Sequence, residues 1–142
     1  MIVYADSSFF VSSCIHDVHT HEVTKRMTSG SQVLLTPFGR VEVANAIHRY
    51  VFRGAISAVD ARNVWLQFEQ DRLRGIWTEV GLPDGVWEAS ILLAQRFGTM
   101  LGVRTLDSLH VACALELRAD KFWTFDERQE KLAEAVGLDT NP

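Results

Sequence analysis

The stretch that most constrains what this chain can fold into is Thr105 to Leu117, TLDSLHVACALEL. Read as a helix, it is apolar on nearly every side: Leu106, Leu109, Val111, Ala112, Cys113, Ala114, Leu115 and Leu117. Such a helix is buried on most sides rather than laid on a surface. Asp107 nevertheless stands in its first turn, beside Ser108 and His110. An ionised carboxylate resists burial unless something pairs with it. It serves either as a helix-terminal carboxylate that accepts backbone N–H bonds and faces the positive end of the dipole, or as one of several acids gathered at a site.

The rest of the chain alternates short apolar runs with longer helical patterns. Ile2–Ala5, Gln32–Thr36, Ile76–Val80 and Lys121–Phe125 read as buried strands. Between them, Phe9 to Val11 begins a short helix, and His16 to Ser29 reads as a half-exposed one. A third helix is expected from about Arg40 to Phe52, with Val41, Ala44, Ile47, His48 and Val51 on one side, Glu42 in its first turn and Gly54 closing it. Ser57 and Asp60 resemble a capping box that opens a long amphipathic helix carrying Val59, Val64, Leu66, Phe68 and Leu73. Pro83-Asp84 starts a helix that Gly98 ends, and Asp126 to Gln129 opens the last one. With 142 residues and no linker or repeat, one domain spanning 1–142 is expected. The alternation implies an α/β fold with a mostly parallel sheet and helices on both faces.

Composition removes several function classes. The formal net charge of −4 argues against a generic nucleic-acid coat, though not against an enzyme that handles phosphodiesters through metal ions. Eleven of the 14 basic residues are arginine, which suits bidentate phosphate contacts or reflects a compositional bias. No apolar run approaches the roughly 20 residues of a membrane helix, and the first residues lack the basic start of a signal peptide. Cys14 and Cys113 show no metal-ligand spacing and read as reduced core residues, so the cytoplasm is the expected compartment. His16, His19 and His21 do not share one helical face and read as solvated.

In open α/β sheets, ligands bind outside the carboxyl ends of the strands. Asp6 leaves the first strand, Asp126 leaves the last, and Glu42 and Asp107 lie near helix starts. Each alone is explained as an N-cap or an exposed helix residue; four from remote segments point to a shared site. Carboxylates in one pocket repel unless a cation neutralises them. An all-oxygen donor set suits Mg²⁺ or Mn²⁺ rather than Zn²⁺.

The ordered set ADSS with Asp6, VEVANAI with Glu42, TLDSLHVACAL with Asp107 and TFDERQ with Asp126 resembles the PIN-domain ribonucleases, and most of all the VapC-type toxins of bacterial toxin–antitoxin pairs. The resemblance implies a three-layer α/β/α sandwich, a homodimer, and hydrolytic RNA cleavage with Mg²⁺ or Mn²⁺ that leaves a 5′-phosphate. It also implies a cognate antitoxin protein that blocks the site. Carried over, Asp6, Glu42 and Asp107 are the principal metal-binding acids and Asp126 a fourth. Ser7, Thr124 and Asn45 match supporting positions, hydrogen-bonding a carboxylate or a metal-bound water. His110 is expected to pack with its ring hydrogen-bonded. Arg40 and Arg104 are candidates for holding the scissile phosphate. Gly39-Arg40 stands where many relatives carry a Ser or Thr, which leaves the cap of that helix open. Two other classes remain: phosphotransfer through an aspartyl phosphate at Asp6, and a non-catalytic PIN-like binding module. Ser8, where a second Asp would stand, and lysines only at 25, 121 and 131 count against the first. The presence of all four acids counts against the second.

Overall fold

The structure, a computed structural model, describes residues 1–142. Four strands, β1 (Ile2–Ala5), β2 (Gln32–Leu35), β3 (Thr78–Glu79) and β4 (Lys121–Trp123), form one parallel sheet in the order β3-β2-β1-β4. Seven helices connect and cover them: α1 (Ser7–Cys14), α2 (Thr20–Met27), α3 (Pro37–Phe52), α4 (Ala58–Leu73), α5 (Val86–Leu101), α6 (Thr105–Glu116) and α7 (Glu127–Ala135). Side chains of a strand alternate between faces, so β1 feeds two cores. Val3 and Ala5 pack with Phe9, Phe10, Val43, Ile47 and Phe68 under α1 to α4. Tyr4 packs with Phe97, Val111, Ala114, Phe122 and Leu132 under α5 to α7. The expected α/β sandwich with a parallel sheet is the fold observed. The apolar helix α6 lies in the second core, with Val111, Ala112, Cys113 and Ala114 all at 0% exposure.

Several element boundaries differ from the sequence expectation, each for a local reason. Helix α3 starts three residues early because Thr36 is its cap, accepting from the Gly39 N–H (3.2 Å), with Pro37 at the first helical position. Glu42 therefore sits in the second turn, not the first. The face that α3 buries is Gly39, Val43 and Ile47, while Val41 is 69% exposed. Helix α2 starts only at Thr20. Before it, the Asp17 carboxylate accepts from Ser12 Oγ and from the His19 N–H and holds a turn. Ser57 caps α4 by accepting from the Asp60 N–H. Only Ala61 and Phe68 of that helix are buried; Val59, Leu66 and Leu73 are exposed, lying ~200° round the helix from them. Gly98 lies inside α5, which runs on to Leu101 and ends at Gly102 in the left-handed conformation (φ 60°). Strand β3 has two residues where five were expected. Strand β4 stops at Trp123 because the next amides bond to side chains, Phe125 N–H to Ser8 Oγ (2.8 Å) and Asp126 N–H to Thr124 Oγ1 (2.9 Å).

Two consequences place the site. All carboxyl ends of the strands lie on one edge. The chain steps β1 to β2 to β3 in one direction and then crosses to β4 on the other side of β1. The crevice at such a reversal is where α/β sheets bind ligands.

Candidate active site

Asp6 follows β1 and caps α1. Its Oδ1 accepts from the Phe9 N–H (3.1 Å) and Ser8 Oγ (2.6 Å), and its Oδ2 from Thr124 Oγ1 (2.6 Å). The Asp6 N–H bonds to Trp123 O and so ties the β1 exit to the β4 exit. The side chain is wholly buried, and burial pushes its carboxyl above the usual carboxylate range. His110 nearby and the Ser8, Thr124 and Phe9 hydrogen bonds pull only partly the other way.

Asp107, 1% exposed, is at the third position of α6. Its Oδ2 accepts from the Arg104 backbone N–H (2.8 Å) and Arg104 Nε (3.1 Å), and its Oδ1 from Arg104 Nη2 (3.1 Å). Asp126 caps α7, its Oδ1 accepting from the Arg128 and Gln129 N–H groups (2.9 and 3.1 Å). Its Oδ2 accepts from the same Arg104 Nη2 (2.9 Å). Arg104 thus bridges two of the four acids.

Glu42 reaches the cleft from α3 and pairs with His110 Nε2. His110, fully buried, meets the Tyr4 hydroxyl at Nδ1 (2.9 Å) and packs on Phe38. A carboxylate only accepts, so Nε2 donates to Glu42, while Nδ1 shares a hydrogen with the Tyr4 hydroxyl. Burial, first among the causes, holds the Tyr4 phenol well above its usual pKa and keeps it a donor. A polar chain therefore runs from β1 through α6 to the acid on α3.

The four acids line one cleft of about 720 Å³, with Ser7, Asn45 and Arg104 also on its wall. Ser8 and Thr124 make the hydroxyl bonds to Asp6, while Ser7 only lines the cleft. Arg40 is not on the cleft wall. Packing of α3 on α4 brings it instead to Glu69, which it grips at Nε and Nη2 (both 2.7 Å). His19, expected on a solvated face, instead lines the cleft stacked on Phe125, and sequence reasoning passed over Arg49, Phe125 and Gln129, which also line it. For Arg49 a signal existed: residues 42, 45, 46 and 49 follow the spacing of one helical face. For the others the neighbours are set only by tertiary packing.

The donors are all oxygens, which fits a hard divalent ion in kind. As arranged here, the acids are compensated separately, by Arg104, by His110 and by hydroxyls, and no three of them converge as a coordination shell.

A family model for the PIN domain matches residues 3–135. No curated protein sequence matches significantly. Solved structures share the fold along nearly the whole chain. FitAcB from Neisseria gonorrhoeae has a TM-score of 0.72 at 13% identity, covering 100% of this chain and 98% of that one. VapC20 from Mycobacterium tuberculosis, a Sarcin-Ricin loop cleaving toxin, has 0.71 at 14%, covering 99% of each. VapBC2 from Rickettsia felis, bound to a DNA fragment from its promoter, has 0.67 at 11%, covering 99% and 98%. The matched span begins inside β1 and ends with α7, so it takes in all four acids, and the chain belongs to the PIN-domain family.

Proposed function

We propose that this chain is a metal-dependent endoribonuclease, hydrolysing RNA phosphodiester bonds as the toxin of a toxin–antitoxin pair. One observation carries the reading: carboxylates from four remote segments line a single cleft at the carboxyl edge of a PIN-family sheet. That VapC20, of the same fold, is a Sarcin-Ricin loop cleaving toxin supports RNA as the substrate.

Asp6, Glu42, Asp107 and Asp126 would hold the ion, Mg²⁺ or Mn²⁺. Bound there, it would supply the charge that neutralises the phosphodiester and acidifies the attacking water. The chain's own contribution is rigidity and charge. Asp6 and Asp107 are buried and fixed by backbone donors, and an ion at Asp107 would take the place of the Arg104 guanidinium. Burial disfavours the ionised Asp6, which creates a demand for a nearby cation. Tyr4 and His110 orient Glu42. Arg49 and Arg104, on the same wall, offer guanidinium forks for phosphate oxygens. Asn45 and Ser7 are supporting hydrogen-bonding groups on that wall.

The proposed partners are RNA, a cognate antitoxin protein and a second copy of the chain in a cytoplasmic homodimer. No helix is long and apolar enough to cross a membrane. Exposed Trp87, Ile91, Leu92 and Met100 on α5 supply apolar surface of the kind interfaces cover. An aspartyl-phosphate role for Asp6 is disfavoured, because its carboxylate is fully buried and takes three hydrogen bonds. A non-catalytic PIN-like module has one feature in its favour, the Arg104 bridge that already neutralises two acids.

Cleavage of total RNA in Mg²⁺ and in Mn²⁺ tests the reading. The parent should cut, chelation should stop it, and Asp107→Asn should lower the rate by roughly a hundredfold or more while keeping the circular dichroism spectrum. An Asp107→Asn protein as fast as the parent would refute the site.

A further inference from the structure

Two rings on the cleft wall take no part in holding the acids. The imidazole of His19 lies flat on the ring of Phe125, with centroids 4.2 Å apart and planes 8° apart, and both side chains line the cleft. Phe125 is itself stacked on the fully buried Phe9 (6.0 Å, 17°), which packs on Trp123 (5.1 Å). The Arg26 guanidinium lies 5.4 Å from the Phe125 centroid and is held by Glu22 at 2.9 Å. His19 is therefore the outermost of three near-parallel rings anchored in the core. One of its faces covers Phe125. The residue is half-buried and lines the cleft.

The platform is rigid, and the fold gives it no other task. The Asp17 carboxylate fixes the His19 backbone N–H (2.8 Å), while the His19 side chain makes no capping hydrogen bond at the start of α2. Its place relative to the acids is set by the chain. Phe125 lies between Thr124, which donates to Asp6, and Asp126, which accepts from Arg104. A flat ring beside a phosphodiester-cutting centre matches a nucleobase, because every base presents a π-face and stacking tolerates any sequence. A platform already ordered avoids the entropic cost of arranging one on binding.

We propose that His19, backed by Phe125, is a stacking platform for an unpaired nucleobase of the RNA strand, next to the phosphodiester that is cut. The inference rests on the nuclease reading and adds to it the residues that receive a base.

The test uses a single-stranded RNA octamer of degenerate sequence with 2-aminopurine at a central position. Binding is followed in Mg²⁺ with the Asp107→Asn protein, so that the probe is not consumed. Stacking should quench the 2-aminopurine fluorescence. Adding His19→Ala should weaken binding roughly five- to hundredfold and abolish the quench. His19→Tyr, which keeps a ring, should restore both; His19→Lys, which keeps a cation without a ring, should restore neither. In the otherwise unaltered enzyme, His19→Ala should raise KM for RNA far more than it lowers kcat. Circular dichroism of each variant checks the fold. Binding and quenching unchanged in His19→Ala, or restored by Lys and not by Tyr, overturn the proposal. If the parent cleaves RNA in either case, the nuclease reading stands alone; a parent that neither binds nor cleaves RNA overturns both.

Discussion

Arg104 allows the electrostatics of the cleft to be tested without any substrate. Its guanidinium makes three contacts of 2.9 to 3.1 Å with Asp107 and Asp126. Arg104→Ala removes all three and leaves Asp107, 1% exposed, with the Arg104 backbone N–H as its remaining donor. Breaking a fully buried ion pair costs about 3–5 kcal/mol, whereas an exposed pair is worth about 0–1 kcal/mol. Here the carboxylate is buried but the arginine side chain is 59% exposed, and water follows into the open cleft. The expected loss is therefore about 1–2 kcal/mol, or a melting temperature lower by roughly 2–8 °C for a chain of this size. Thermal and urea denaturation in chelator should show it. In an Asp107→Asn background the same substitution should cost less than about 0.5 kcal/mol, because no buried charge is stranded. Millimolar Mg²⁺ should narrow the gap between parent and Arg104→Ala, since the ion would neutralise the carboxylates that the arginine has left. Equal losses with and without Mg²⁺, and simple additivity with Asp107→Asn, would refute the idea that arginine and ion compete for one pair of acids.

Asp6→Asn should raise stability at neutral pH in chelator. The folded carboxyl binds its proton more tightly than the unfolded one, so its contribution is complete below the ordinary carboxylate value and is lost as pH rises through the raised folded value. The advantage of Asn over Asp should therefore shrink on acidification; an advantage that grows toward low pH contradicts the assigned direction. Tyr4→Phe strips the buried His110 Nδ1 of its partner and should cost about 1–3 kcal/mol by urea denaturation. It should also impair RNA cleavage through a misoriented Glu42, and a Phe variant with unchanged stability would remove the polar chain from the account.

The parallel sandwich was legible because strand exits that pass directly into helices carry a capping acid, as at Asp6 and Asp126, and because α6 is too apolar to lie on a surface. The turn that holds Glu42 was misplaced because the helix was expected only from about Arg40, whereas Thr36-Pro37 is a complete helix start three residues earlier. Gly98 misled too: a helix tolerates an interior glycine, and only Gly102 adopts the left-handed conformation that ends one. Which arginines face the cleft was legible only in part: Arg104 was expected there and helical spacing pointed to Arg49, but Arg40 lies elsewhere. Arg40 is drawn off by Glu69, 29 residues away, and that pairing exists only once α3 and α4 have packed. The stack of Phe9, Phe125 and His19 likewise depends on joining segments from both ends of the chain.

The structural and catalytic readings of the capping acids do not compete, because a carboxylate has two oxygens. Asp126 gives Oδ1 to the amides of α7 and turns Oδ2 to Arg104 in the cleft. Asp6 gives Oδ1 to Phe9 and Ser8 and turns Oδ2 to Thr124. At Asp126 the cap fixes the carboxylate while the second oxygen is held toward cleft-lining Arg104, so a substitution can separate the two roles. Asp126→Ser keeps a good N-cap oxygen and loses Oδ2; Asp126→Ala loses both. Ala should be less stable than Ser by about 0.5–2 kcal/mol, the usual worth of a cap, measured as a difference in urea midpoint. Cleavage of RNA should fall by a similar factor in both, because the missing group is the oxygen that faces the cleft. A Ser variant that cuts as fast as the parent would reduce Asp126 to a helix cap, and the acids proposed to act on the phosphodiester would number three.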